Sequence, residues 1–210
     1  MLSEYELVIF DCDGVLVDSE SISCGTIAEI ATELGFPMTT DEAITAFVGT
    51  SMDVVTTYLR PRIKEPLPSD FEQEYRNRIK QRFENELQPI PGIESVLESL
   101  TIPKCVGSNG PREKIMMNLG LTKLLSHFES HQIFSAYDIK KWKPLPDLYL
   151  YAARQMGVAP KNCVVVEDSL AGVQAAQAAG MEVIGYAGTT DGKLLKAAGA
   201  KVIFDMNELI

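Results

Sequence analysis

The amino-acid sequence predicts an α/β protein: a parallel β-sheet with helices on both faces, interrupted after its first strand by a small all-helical segment. Three observations predict it. Short, uniformly apolar runs recur along the chain; from Cys105 onward they alternate with helical stretches; between residues 18 and 87 the pattern is helical only. Alternation of this kind is the mark of βα units, and strands without a polar side suit a sheet buried on both faces.

Taken in order, the first strand is expected at Leu7–Phe10. The insert follows, with helices at about Ser19–Leu34, Thr40–Phe47, Ser51–Arg60 and Ser69–Leu87. Their breaks fall at Gly35-Phe36-Pro37, at Gly49 and between Pro61 and Pro68, where helix continuation is disfavoured. Gln88–Gly92, with two prolines and a glycine, reads as the linker back to the sheet. The remaining strands are expected at Cys105–Gly107, Ile133–Ser135, Cys163–Val166, Val183–Tyr186 and Val202–Phe204. Between and after them come helices at Pro111–Leu119, Asp147–Met156, Leu170–Ala179 and Lys193–Ala198. Residues 1–17 and 88–210 are therefore expected to form the core and residues 18–87 a helical cap over the sheet's carboxyl edge, where α/β folds bind ligands.

Composition narrows the function. A chain of 210 residues that is 46% hydrophobic and 23% charged can bury a full core. No apolar run approaches the roughly 18 residues of a membrane span. The opening Met-Leu-Ser-Glu-Tyr-Glu lacks a positive n-region, so a cytoplasmic protein is expected. Cys12, Cys24, Cys105 and Cys163 form no metal-binding or redox motif and are expected as free buried thiols. A net charge of −10 repels nucleic acid and anionic membranes, and leaves a small molecule as the expected partner of a monomer or weak homo-oligomer. It repels phosphorylated metabolites too, unless local cations or a divalent metal offset it.

Chemistry concentrates at the ends of strands. Asp11 and Asp13 leave the first strand and meet Gly14. In regular alternation they share a face, and a metal ion relieves the repulsion between them. A strand-ending turn at Asp13-Gly14 is the plain alternative. Glu167 and Asp168 follow another apolar strand, where Asp168 or Ser169 also suits a helix cap. Together the two pairs place up to four carboxylates at one sheet edge, an oxygen-rich set that suits Mg²⁺. The alanines at 171, 175 and 179, with Gly172 beside them, read as helix packing. Ser108-Asn109-Gly110 before Pro111 reads either as a phosphate cradle at a helix start, with Pro111 in the first turn, or as an ordinary turn. Lys143, ahead of Pro144 and Pro146, is either solvated or the counter-charge to the carboxylates and a contact for a phosphoryl oxygen.

These segments occur in the order of a known family. Phe10–Ser19, Ser108-Asn109, Lys143–Asp147 and Glu167-Asp168-Ser169 with Gly172, Ala175 and Ala176 resemble the four motifs of the haloacid dehalogenase superfamily. The position of the helical insert is similar to the subgroup capped between the first two motifs. The resemblance implies a Rossmann-like core and a Mg²⁺-dependent phosphatase for a small phosphorylated metabolite. It also implies that Asp11 is the nucleophile and a metal ligand. Asp13 is implied as general acid and then base, with its carbonyl on the metal. Asp168 and Glu167 are implied as further metal ligands, and Ser108, Asn109 and Lys143 as phosphate-binding residues. Gly107–Pro111 and Tyr137–Pro144 are similar to bacterial phosphatases active on 6-phosphogluconate and related sugar phosphates.

Two neighbouring functions share some of these features. A β-phosphoglucomutase carries an arginine in the cap that grips a distal phosphate, whereas Val48–Asp53 here contains none. Phospho-accepting receiver modules use a similar aspartate, metal and lysine but are shorter and have no insert after the first strand. Trp142 departs from the glycine common before the motif lysine, and either touches substrate or packs against cap or core. The cap also holds seven cations against four carboxylates between Arg60 and Arg82. Their spacing suits either a solvated helix surface or a contact to the carboxylate of a sugar acid.

Overall fold

The uniformly apolar strands do assemble into one sheet. In a computed structural model, which describes residues 2–48, 50 and 52–210, the strands are β1 (Leu7–Phe10), β2 (Lys104–Ser108), β3 (Ile133–Ser135), β4 (Cys163–Glu167), β5 (Glu182–Tyr186) and β6 (Lys201–Ile203). All pairings are parallel and the order is β3-β2-β1-β4-β5-β6. Every residue of β1 and β4 is buried, as expected for central strands covered on both faces. Leu7 and Ile9 share one core cluster with Leu148, Ala152, Val173 and Ala176. Val8 and Phe10, the alternate residues, point to the other face.

Among the described residues, ten α-helices accompany the strands. Those of the insert are α1 (Ser19–Glu33), α2 (Thr40–Phe47), α3 (Met52–Leu59) and α4 (Phe71–Glu86). The rest are α5 (Ile93–Ser99), α6 (Arg112–Leu121), α7 (Ala136–Ile139), α8 (Asp147–Gln155), α9 (Leu170–Ala178) and α10 (Gly192–Ala197). α5 and α7 have no counterpart in the sequence reading. α7 is a single turn and α5 only seven residues, too short for a strong 3.6-residue pattern. Pro111 is the cap of α6, with an extended backbone, and Arg112 opens the helix; the proline does not enter the first turn as expected.

The chain divides into two compact units, Met1–Asp18 with Gln88–Ile210, and Ser19–Leu87. The second is all-helical and has its own core, built from Ile27, Ala31, Phe47, Leu59 and Phe71 among others. Thr39 and Glu42 close a reciprocal capping box at the start of α2. Three of the cap cations, Arg76, Arg78 and Arg82, pair with carboxylates of their own unit. Arg78 donates to Glu33 at 2.7 and 2.9 Å and to Glu74 at 2.8 Å, while Arg82 bonds Glu29 and Glu86. The pairs to Glu33 and Glu29 fasten α4 to α1, while those to Glu74 and Glu86 lie within α4, so both guanidinia are engaged inside their own unit. All four cysteines are free and buried. No helix among the described residues is long and apolar enough to cross a membrane.

Candidate active site

The strand order reverses direction about β1 and β4. The chain moves from β1 outward to β2 and β3, then returns to β4 and continues outward on the other side. Connections leave these two neighbours in opposite directions, and the crevice at their carboxyl ends is where such sheets bind ligands. Asp11 follows β1 and Asp168 follows β4. The Asp11 amide donates to Val166 O at 3.0 Å, so the two ends stay in register.

Asp11, Glu167 and Asp168 are buried, and each offers an oxygen within 4.8 Å of the others. Among the described residues this is the acidic cluster at the site, and it is a set of hard oxygen donors that fits a small divalent cation. Asp13 lies outside it, so three carboxylates converge where up to four were expected. The reason is the turn. Gly14 takes φ +79°, its amide donates to Val17 O at 2.9 Å, and the Leu16 amide donates to Cys12 O at 2.9 Å. Regular alternation therefore ends before Asp13. A Cβ on Gly14 would stand 2.1 Å from Asp168 Oδ2, so only glycine lets the two loops approach this closely.

Lys143 is the cation inside the cluster. It is 7% exposed, and its ammonium donates at 2.6 Å to both Asp11 Oδ1 and Glu167 Oε1. It is therefore no solvated lysine. Burial lowers its pKa, but the charges of Asp11 and Glu167 outweigh that and hold it above its ordinary value. Burial also raises Asp11, to about 7; Lys143 opposes the shift, and Glu167 and Asp13 add to it. Glu167 ends below the usual range although burial raises it, because Lys143 and hydrogen bonds from Ser169 and Tyr149 favour its charge.

Glu167 is bonded on both oxygens. Oε1 accepts from Lys143 and from Tyr149 OH at 2.7 Å, and Oε2 from the amides of Asp168 and Ser169 and the Ser169 hydroxyl. Space for it comes from Gly172, where a Cβ would fall 1.8 Å from the Glu167 carboxyl carbon. The sequence assigned Gly172 to helix packing; the structure gives it this second use. Tyr149, on α8, carries no motif and was missed, as nothing local marks a tyrosine on an apolar helix face as a carboxylate partner.

Ser108 ends β2, is 2% exposed, and accepts from the Gly110 amide at 3.1 Å. Asn109 faces the lysine loop. Its Oδ1 accepts from the Lys143 amide at 2.9 Å and its Nδ2 reaches Lys143 O at 3.5 Å. The Asn109 side chain thus braces the backbone that carries Lys143. Ser135 Oγ donates to Gly110 O at 2.6 Å and ties the same loop to the end of β3. Asp13 is met by α6: Lys114 Nζ lies 2.8 Å from Oδ2 and Asn118 Nδ2 lies 3.3 Å from Oδ1. Neither residue was singled out in the sequence. Trp142 stays 42% exposed, edge-on to Tyr137 at 5.5 Å. Of the run Val48–Asp53 that bears on the mutase alternative, Gly49 and Ser51 lie outside the described residues.

Known proteins resemble this chain along most of its length. Residues 8–186 match the family model described as haloacid dehalogenase-like hydrolase. A 6-phosphogluconate phosphatase of Escherichia coli K12 is 37% identical over 186 residues, covering 87% of this chain and 82% of the relative. A phosphorylated carbohydrates phosphatase of Thermotoga maritima is 30% identical over 211 residues, covering 98% and 96%. A crystal structure of a conserved haloacid dehalogenase-like protein of unknown function from Agrobacterium tumefaciens superposes with a TM-score of 0.90. It is 36% identical, and the match covers 98% of this chain and 96% of that one. With its acidic cluster at the switch point of this sheet, the chain belongs to the haloacid dehalogenase-like hydrolases and is a phosphatase of small phosphorylated compounds.

Proposed function

We propose that the protein hydrolyses a sugar phosphate or phosphorylated sugar acid through a phospho-aspartate at Asp11, with Mg²⁺ as its metal. The observation that carries this reading is the buried Asp11 carboxylate held 2.6 Å from Lys143 within the cluster it forms with Glu167 and Asp168. In this reading Asp11 attacks the phosphorus atom. Lys143 and the Ser108 hydroxyl hold phosphoryl oxygens in line for transfer. Asp13 gives a proton to the departing alcohol and then takes one from the water that releases phosphate. Asp11, Asp168 and the Asp13 carbonyl, with Glu167 completing the acidic set, would hold Mg²⁺, which would supply neutralisation of the phosphoryl charge. Glu167 also anchors Lys143. Residues 1–17 and 88–210 act as the catalytic core and 18–87 as its cap.

The sugar-acid part rests on the Escherichia coli and Thermotoga relatives, and on the sequence likeness around Ser108 and Lys143. The test is turnover of 6-phosphogluconate, glucose 6-phosphate and a generic aryl phosphate, with and without chelator, by wild type and Asp11→Asn. The expected result is Mg²⁺-dependent turnover highest on a sugar substrate and abolished by the substitution, since a covalent route has no bypass for its nucleophile. Substantial turnover by Asp11→Asn refutes the covalent route. Equal kcat/KM for both sugar substrates refutes recognition of the sugar-acid carboxylate and leaves the phosphatase intact.

A further inference from the structure

The geometry points to Lys114 and Asn118 as positioning residues that fix the Asp13 carboxylate for proton transfer to the leaving oxygen. They stand four residues apart on α6, so they share one face of the helix. Each takes a different oxygen of Asp13, Lys114 at 2.8 Å and Asn118 at 3.3 Å. A carboxylate held at both oxygens cannot rotate freely about its Cβ–Cγ bond, so one lone-pair direction is left fixed in space.

Three further observations separate this from a chance surface ion pair. Asn118 is fully buried, whereas an incidental partner of a loop aspartate has no reason to sit in the interior. Its Oδ1 is also buried and receives no hydrogen bond among the described residues. Finally, Asp13 stands in a turn beyond the end of β1, beside Gly14 with φ +79°, where its backbone has an isolated bridge to Val17 and its carboxylate is met by the α6 side chains. Asp11 is held by Lys143 and Asp13 by α6, so each carboxylate has its own cation.

The inference rests on the reading of Asp13 as proton donor, and the experiment separates the two. A sugar alkoxide needs a proton to leave, whereas p-nitrophenolate does not. The ratio kcat/KM reports steps up to and including the first irreversible phosphoryl transfer. It is measured for a sugar phosphate and for p-nitrophenyl phosphate in wild type, Asp13→Asn, Lys114→Met, Lys114→Arg and Asn118→Ala. Thermal unfolding confirms that each variant folds. Lys114→Met keeps the test alive if Asn118→Ala does not fold, because the Lys114 side chain is 38% exposed.

The expected result is a selective loss. Lys114→Met and Asn118→Ala lose about 10- to 100-fold on the sugar phosphate, part of the ~10²–10⁴ that general acid catalysis supplies. They lose little on the aryl ester, and Lys114→Arg recovers most of the sugar rate. If Asp13→Asn is selective but the α6 variants lose equally on both esters, or lose nothing, the positioning role is overturned and Asp13 keeps its own. If Asp13→Asn also falls equally on both esters, Asp13 is not the proton donor, and the inference fails with that reading.

Discussion

A glycine inside a helix usually costs about 1 kcal/mol relative to alanine, so Gly→Ala there ordinarily stabilises. Gly172 in α9 reverses the sign. The added methyl would stand 1.8 Å from a carboxyl carbon that is pinned by five donors, including the buried Lys143. Gly172→Ala is expected to destabilise by about 3 kcal/mol, the order of breaking a buried charge-assisted network, and to abolish most turnover. A denaturant midpoint at or above wild type contradicts this account of the glycine. The same contacts show where sequence reasoning reaches. Asp11, Glu167 and Asp168 are legible because each follows an apolar strand within a dense local motif. Tyr149, Lys114 and Asn118 are not. Lys114 meets Asp13 across 101 positions, and only the folded sheet brings them together. The contact of Asn109 with the Lys143 backbone was not legible, because it spans 34 positions between two loops.

Among the elements, α1 and α4 show how charge is used away from the site. Arg78 lies between Glu33 on α1 and Glu74 one turn back on α4, and hydrogen bonding from Arg78 holds Glu33 below the usual carboxylate range. These side chains are partly exposed, at 32% for Arg78 and 56% for Glu33, so screening leaves each pair about 0.2–1 kcal/mol. Arg78→Ala is therefore expected to lower stability by less than about 1 kcal/mol and to leave kcat/KM on 6-phosphogluconate unchanged. A loss confined to 6-phosphogluconate, with glucose 6-phosphate untouched, would return Arg78 to substrate recognition. The sequence located these cations without showing that their partners lie one helix away. It placed the strands and most helices to within two residues, because uniform burial and 3.6-residue periodicity leave local marks. α5 leaves almost none: it opens from Gly92 in the left-handed region and ends after seven residues.

At the scale of the whole molecule, the net charge of −10 and the carboxylates gathered at the switch point pose the same problem. Burial lifts Asp11 to about 7. A carboxyl raised on folding adds stability below its unfolded pKa, near 3.9, and loses it as pH rises through the folded value. In the proposed Mg²⁺ complex the cation would offset the penalty, but below about pH 7 it would have to displace a proton to do so. The gain in melting temperature from a fixed Mg²⁺ concentration is therefore expected to be larger at pH 8 than at pH 6. Equal gains at the two pH values would show that Asp11 does not take part in binding the metal. The strand order itself was not written in the sequence, which marks strands but not their neighbours; the switch point became visible only with the pairing of β1 to β2 and β4.

One measurement bears most directly on Asp11 as the phosphorylated nucleophile. Enzyme mixed with excess sugar phosphate and Mg²⁺ is quenched in acid within a turnover, digested and sequenced by mass spectrometry. Asp13→Asn serves as a second source, since removing the base slows release of phosphate from the adduct. The result expected is a single phosphoryl adduct on Asp11, labile to alkali, absent from Asp11→Asn and absent without metal. Sustained turnover with no adduct on Asp11 in either protein, or an adduct on another residue that survives Asp11→Asn, would contradict it.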